Sequence, residues 1–327
     1  MTKQFRLGFG PMSPEIIDAI GSYSQKRQYP LMIIASRNQV DHNSGYVMTT
    51  KQLAEQVSKY SKEYLWLCRD HCGPYFLDSE KELSAVDAVE ATKKTIANDI
   101  ENGFDLIHID TSRCENQYQV AEELIKFCLD LNPAIRFEFG TEENVGVTAS
   151  LEKYRADVAF AKQFPNMEFV VAQTGSLVME DRQVGTFDVE LVKQLVECAN
   201  QAGVRLKEHN ADYLLVDKIK LRQEAGVHAL NIAPQLGVIQ TSFIKDVAVW
   251  NGVDAEWHEF GAAVLGTGKW KKWIIDGDDN TKINIAGHYL FNTMEYRELI
   301  KRIGGDIWRV ELTNYVHKLI DRYAKNI

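Results

Sequence analysis

Three histidines stand beside carboxylates or amides at places where short apolar runs end. They are His71 in Asp70-His71-Cys72-Gly73-Pro74, His108 in Leu106-Ile107-His108-Ile109-Asp110, and His209 in Glu208-His209-Asn210-Ala211-Asp212. Glu142 and Gln173 follow two further runs. Imidazole nitrogens together with carboxylate and amide oxygens are ligands for a divalent metal, and a catalytic zinc needs three protein ligands and an open position. One such histidine alone would read as a core or surface residue; three of them, with Glu142 and Gln173, point to a metal centre. The five cysteines, Cys68, Cys72, Cys114, Cys128 and Cys198, build neither a disulfide ladder nor a complete zinc knuckle and read as small hydrophobes.

The elements that must position these residues follow from the apolar pattern. Short runs at 5–9, 31–35, 64–68, 106–109, 135–139, 168–172, 205–208 and 227–232 read as strands. Between them, 14–27, 49–63, 119–132, 151–164, 188–203 and 212–226 carry helical periodicity. Thr49 and Asp188 are suited to N-caps, and Gly103, Gly203 and Gly226 to helix ends just before a strand. Repeated strand–helix units give a parallel sheet, and eight of them close into a (βα)₈ TIM barrel. An open doubly wound sheet would instead show G-x-G-x-x-G after an early strand, and Gly8-Phe9-Gly10-Pro11-Met12 does not fit it. From Asp254 onward the pattern is helical, with aromatic and aliphatic stripes. The expected organisation is a barrel over 1–252 and a helical C-terminal extension over 253–327, packed on the barrel or at an oligomer interface.

Composition narrows the function classes. A net charge of −9 over 327 residues argues against a nucleic-acid surface. No apolar run approaches the ~18 residues of a spanning helix, and the N-terminal stretch lacks a signal-peptide core, so a cytoplasmic location is expected.

A barrel gathers its chemistry at the C-terminal ends of its strands. Read that way, Arg37, Asn38, Gln39, Asp70, His71, Asp110, Glu142, Gln173, His209, Asp212 and Asn231 all face one mouth. Alternation sends Ile107, Ile109, Phe137 and Phe139 toward the helix layer and leaves His108, Asp110, Arg136 and Glu138 inside. Buried charges need partners, so an internal salt bridge of Arg136 with Glu138 or Asp110 is one reading and a functional cluster the other.

These segments carry a resemblance. Ser36-Arg37-Asn38-Gln39-Val40 with Gly45-Tyr46, Asp70-His71-Cys72-Gly73-Pro74, His108-Ile109-Asp110-Thr111-Ser112, Gly140-Thr141-Glu142, Gln173-Thr174-Gly175, His209-Asn210-Ala211-Asp212-Tyr213 and Asn231-Ile232-Ala233-Pro234 are similar to the accessory-subunit family of class II tagatose-bisphosphate aldolase, the tagatose-6-phosphate-kinase-like group. More distantly they resemble class II ketose-bisphosphate aldolases. The resemblance spans roughly residues 30–250 and implies a barrel with a sugar or sugar-phosphate ligand. It places an Asp before a zinc-binding His at Asp70 and His71, and the last zinc His at His209. The middle zinc His falls near Gln173, which with Glu142 suits a harder, oxygen-rich site for Zn²⁺, Mn²⁺ or Mg²⁺. Asn210-Ala211-Asp212-Tyr213 replaces the family's Gly-rich phosphate loop, and Asn231 replaces a lysine common in the accessory subunits.

The implied chemistry is a ketose held on a divalent metal, which stabilises an enediolate and so permits aldol cleavage or retro-aldol C4 epimerisation. Asp70 would take the C4 hydroxyl proton, with Asp110 or Glu142 as second acid/base. His71, His209, Gln173 and Glu142 would hold the metal. Asn38, Gln39, Arg37, His108, Asn231 and Asp212 would meet the substrate, and Arg37 or Arg113 an anionic group on it. The alternative is a non-catalytic subunit that stabilises an aldolase partner; a homo-oligomer is the other expected assembly.

Overall fold

The computed structural model describes residues 4–274 and 276–327, so the first three residues of the expected barrel region and Ile275 lie outside it. Eight parallel strands close into a barrel in sequence order. They are β1 (Leu7–Phe9), β2 (Leu31–Ser36), β3 (Leu65–Cys72), β4 (Leu106–Asp110), β5 (Arg136–Gly140), β6 (Met167–Val171), β7 (Arg205–Glu208) and β8 (Ala229–Ile232). Each is followed by a helix: α1 (Pro14–Arg27), α2 (Thr50–Val57), α3 (Ala85–Glu101), α4 (Gln117–Leu131), α5 (Leu151–Ala161), α6 (Val189–Ala202), α7 (Val216–Ala225) and α8 (Pro234–Trp250). Four more helices follow: α9 (Asp254–Gly266), α10 (Asp279–Ala286), α11 (Met294–Ile303) and α12 (Ile307–Ala324).

Local chemistry sets the helix ends. Ser13 accepts from the Ile16 amide ahead of Pro14 at the first turn of α1, and Thr49 and Gln52 form a reciprocal capping box on α2. Asp188 caps α6, while Gly203 and Gly226 end α6 and α7 in the left-handed conformation that spares them a Cβ penalty. Helices α2, α5 and α7 are shorter than their periodicity suggests, and α5 ends at Ala161. Helix α2 stops at Val57, and α7 begins only at Val216, because Asp212 and Tyr213 stay in the loop at the mouth.

Two cores result from strand alternation. Leu7, Phe9, Ile33, Ile107, Phe137, Phe139 and Leu206 face the helices, while Met32, Ile34, Cys68, Leu106, Phe169 and Ala229 fill the lower barrel interior. Above that apolar plug the interior turns polar. Beside it, Arg69 points outward from β3 and is fully buried against α3, where its guanidinium grips both oxygens of Asp99 at 2.5 and 2.6 Å and donates to the carbonyls of Ala35 and Val40. This fork ties β2, β3 and α3 together just below the mouth.

Helix α12 returns along α1 and α8. Its Tyr323 hydroxyl donates to the Ala211 carbonyl at 2.6 Å and accepts from the Leu214 amide, so the extension holds the loop that follows β7. No helix among the described residues is long and apolar enough to cross a membrane.

Removing one partner of the buried fork leaves an uncompensated charge. Asp99→Ala is expected to cost about 3–5 kcal/mol of stability, read as a lower urea midpoint at unchanged slope. A shift below 1 kcal/mol would contradict the role given to this pair.

Candidate metal centre

Strand β3 is where sequence and geometry first diverge. Its expected end at residue 68 moves to Cys72, so Asp70 and His71 lie within the strand. The pairing with β4 runs Cys68 to Leu106 and Arg69 to Ile107, then resumes at Cys72 to Ile109. Two residues therefore oppose His108 alone, which is a bulge. The bulge turns both Asp70 and His71 to the mouth and puts His71 at φ 47°, a left-handed conformation costly for a residue with a Cβ. Gly73 follows because a Cβ there would stand 1.6 Å from the Asp110 carbonyl oxygen.

Asp70, His71, His108 and His209 offer four ligand atoms that all lie within 4.8 Å of one another. Two of the histidines are oriented from behind by carboxylates. His71 Nδ1 is 2.6 Å from Asp110 Oδ2, which leaves Nε2 toward Asp70 at 3.8 Å. His209 Nε2 is 2.5 Å from Glu138 Oε1, which leaves Nδ1 toward Asp70 at 3.8 Å. The other oxygen of Glu138 meets the Lys207 ammonium at 2.6 Å. His108 Nδ1 lies 3.2 Å from Asp70 Oδ1 and 3.2 Å from the His71 amide, and its Nε2 is buried without a partner.

Electrostatics follow from this packing. Burial opposes a charged His71, but Asp70 and Asp110 outweigh it and lift its pKa to about 9. Burial also opposes charge on Glu138, yet Lys207, His108 and His209 bring it down to about 2. The three histidines likewise overcome burial at Asp70 and hold it well below the usual carboxylate range. His209 goes the other way: burial outweighs its carboxylate neighbours and lowers its pKa. A divalent cation held there would have to displace the His71 proton, so its affinity would rise with pH toward that pKa.

Asp70, His71 and His209 line a cavity of about 840 Å³ at the mouth, with His108 buried beneath them. Asn38, Gln39, Asp212 and Asn231 line it too. Asn38 donates to the Phe76 carbonyl at 2.7 Å, and the Gln39 amide oxygen accepts from the Ser36 amide. Asp212 Oδ1 accepts from the amides of Ala233 and Gln235, and both polar atoms of Asn231 are buried without partners.

Several expectations are corrected by this geometry. Glu142 is outside the cluster; its neighbours in charge are Asp157 and Lys153 of α5, and burial raises its pKa. Gln173 donates to the Glu142 carbonyl at 3.3 Å and does not line the cavity. Glu142 is not among the metal-type atoms gathered there, whereas His108 and Asp70 are. Asp110 reads as the group that orients His71, since its oxygens are taken by that ring and the Ser112 amide. Arg37 touches the cavity wall, but its guanidinium is spent on Glu80, the Gly73 carbonyl, Thr92 and Thr95. It braces the loops and has no donor left for a substrate.

The expected pairing of Arg136 with Glu138 or Asp110 is also replaced. Arg136 stacks over Trp66 at 4.5 Å, and Lys207 takes Glu138. Lys207 was legible from alternation, because Arg205, Lys207 and His209 share a face in Arg205-Leu206-Lys207-Glu208-His209. Sequence reasoning also passed over His288, Tyr289 and the lysines of the extension, which reach the cavity from outside the barrel.

Residues 11–126 match the model of the D-tagatose-1,6-bisphosphate aldolase subunit GatZ/KbaZ-like family. A structure described as a "probable tagatose 6 phosphate kinase" from Sinorhizobium meliloti 1021 superposes with a TM-score of 0.83 at 17% identity, covering 99% of this chain and 100% of that one. The fructose-bisphosphate aldolase of Campylobacter jejuni gives 0.61 at 12% identity over 98% and 90% of the two chains. The YdjI aldolase of Escherichia coli K12 gives 0.54 at 11% identity over 92% and 93%. At these identities the three structures share the barrel fold with this chain.

Asp110→Asn keeps the shape but loses the carboxylate behind His71. Zinc affinity is expected to fall roughly 10–100-fold, measured by competition with a chromophoric chelator. Unchanged affinity would remove Asp110 from the site.

Proposed function

We propose that the chain is a metal-dependent sugar enzyme of the class II aldolase type, acting on a ketose or ketose phosphate by aldol cleavage or C4 epimerisation. The observation that carries this reading is the convergence of Asp70, His71, His108 and His209 within 4.8 Å at the floor of the cavity. The family match over residues 11–126 and the shared aldolase fold support it.

The donor set fits a divalent cation. His71 Nε2 and His209 Nδ1 are the nitrogens left open by their carboxylate anchors, and His108 supplies a third ring beside them. Three such ligands leave a position for substrate. When bound, a divalent cation there supplies Lewis acidity to a ketose carbonyl and its neighbouring hydroxyl. The residues do the rest. Asp110 fixes the His71 tautomer, and the Glu138–Lys207 pair fixes His209. Asp70 stays ionised, with Oδ1 toward His108, so Oδ2 is placed to take the C4 hydroxyl proton as the C3–C4 bond breaks. Re-formation of the C3–C4 bond on the other face of the turned aldehyde, with return of that proton to the C4 oxygen, gives the C4 epimer; departure of the aldehyde and delivery of the proton to C3 of the remaining fragment gives cleavage. Asn38 and Asn231 stand where sugar hydroxyls would lie.

A second reading, a non-catalytic subunit of an aldolase, is favoured by the exposed apolar side chains of Trp250, Met294 and Ile307 on the helices around the barrel's last turn.

The test is ¹³C NMR of the purified chain alone, loaded with zinc or manganese, against ketoses and ketose phosphates. The expected result is a C4 epimer or two smaller sugars, with Asp70→Asn slowing the change by about 10²–10⁴-fold while metal content is retained. Metal-loaded protein that turns over none of these would move the assignment to the accessory subunit.

A further inference from the structure

The mouth of the barrel presents two ends of opposite character. At one end lies the start of α8, whose free amides would ordinarily attract an anion. Here none is free. The amides of Ala233 and Gln235 both donate to Asp212 Oδ1 at 2.9 Å, Pro234 has no N–H, and the Leu236 amide donates to the Ala233 carbonyl. The chain has placed its own carboxylate where a terminal phosphate would bind, and a second anion would meet Asp212 directly. Asp212 Oδ2 and both polar atoms of Asn231 are buried there without hydrogen-bond partners. They offer acceptors and a donor suited to neutral hydroxyls.

The other end is cationic. The short turn Lys269–Lys272 of the extension brings Lys269 and Lys272 to the cavity, and Arg113 joins them from the loop after β4. Asp78, which also lines this end, is paired with Lys81 at 2.8 Å, and its charge reaches Lys269, Lys272 and Arg113 without a hydrogen bond to them. Lys269 sits over the rings of Tyr289 and Tyr46 at 4.8 and 5.6 Å, and Lys272 over Trp273 at 4.6 Å. Aromatic faces steer a cation without consuming its hydrogen bonds. The turn is itself fixed, since Trp273 Nε1 donates to the Tyr289 hydroxyl and the Glu180 amide to the Trp273 carbonyl. Arg113 is held by Glu143, the Tyr75 carbonyl and the Phe76 ring, which leaves its second terminal nitrogen open.

We propose that the cavity takes a sugar derivative with a single anionic end, a carboxylate or a phosphate, seated on Lys269, Lys272 and Arg113, with its neutral hydroxyl end at Asp212 and Asn231. This rests on the sugar-binding reading above and gives it a polarity: a sugar acid or a monophosphate fits, and a bisphosphate does not.

Calorimetry with unreactive open-chain probes separates this claim from catalysis, because alditols and aldonates lack the carbonyl. The probes are sorbitol, gluconate, sorbitol 6-phosphate and sorbitol 1,6-bisphosphate. At least one singly anionic probe is expected to bind about tenfold or more tighter than sorbitol. The bisphosphate should bind no tighter than the monophosphate. The Lys269→Gln/Lys272→Gln double variant should erase the advantage, and the Lys→Arg pair should keep most of it. Gluconate in the lead would identify a carboxylate ligand, and sorbitol 6-phosphate a phosphate ligand. Equal or undetectable binding of sorbitol and both anionic probes, an unaffected double variant, or a bisphosphate that binds tenfold tighter than the monophosphate would each overturn the proposal. Turnover of a ketose plays no part in these readouts, so loss of the catalytic reading would leave them intact.

Discussion

A charge buried in the middle of a barrel is costly unless it is paired, and Glu138 is paired through both oxygens, with Lys207 on one side and His209 on the other. The rest of the mouth depends on this bridge. It neutralises a lysine that is wholly buried above Phe169, and it fixes the ring of the one histidine that joins β7 to the cluster. Breaking such a bridge by removing one partner costs several kcal/mol, whereas an apolar replacement of the whole set could be neutral. A barrel selected for stability alone has the cheaper option open to it. Retaining Glu138, Lys207, Asp70, Asp110 and three histidines in one layer is therefore better explained by what the layer does than by what it adds to folding.

The bulge on β3 is the second constraint. An unbroken strand would send Asp70 to the mouth and His71 to the helices. Inserting one residue against His108 brings both to the same side, at the expense of a left-handed backbone at His71. The strain is held by Arg69 below, which grips Asp99, and by Gly73 above, which leaves room for the Asp110 carbonyl. The site is thus carried on strands, with its supporting ion pairs placed just behind them.

The architecture was readable because the apolar runs and helix signals agree. All eight barrel strands overlap the runs expected of them, and Thr49, Asp188, Gly203 and Gly226 act as their residue types suggest. Alternation also placed His108 and Glu138 inside the barrel. What it could not give was pairing across the barrel. Which cation meets Glu138 depends on the stagger of strands far apart in sequence, so Arg136 was as good a candidate as Lys207. The bulge was hidden for a similar reason, since one inserted residue leaves no mark on an apolar pattern that has already ended. Glu142 and Gln173 follow their strand ends, but side chains two residues past a strand can turn toward the helix layer, as Glu142 does toward α5. The lysines and His288 of the extension lie outside any barrel periodicity and were visible only once α8–α12 had been folded back over the mouth.

The central claim is that His71, His108 and His209 hold one metal ion beside Asp70. It is tested most directly by titrating metal-free protein with cobalt(II) and following its visible absorption. The account predicts saturation at about one ion per chain with the strong d–d bands of a four-coordinate nitrogen and oxygen site, abolished in both His71→Ala and His209→Ala. No uptake by the wild type, or uptake that survives both substitutions, would contradict it.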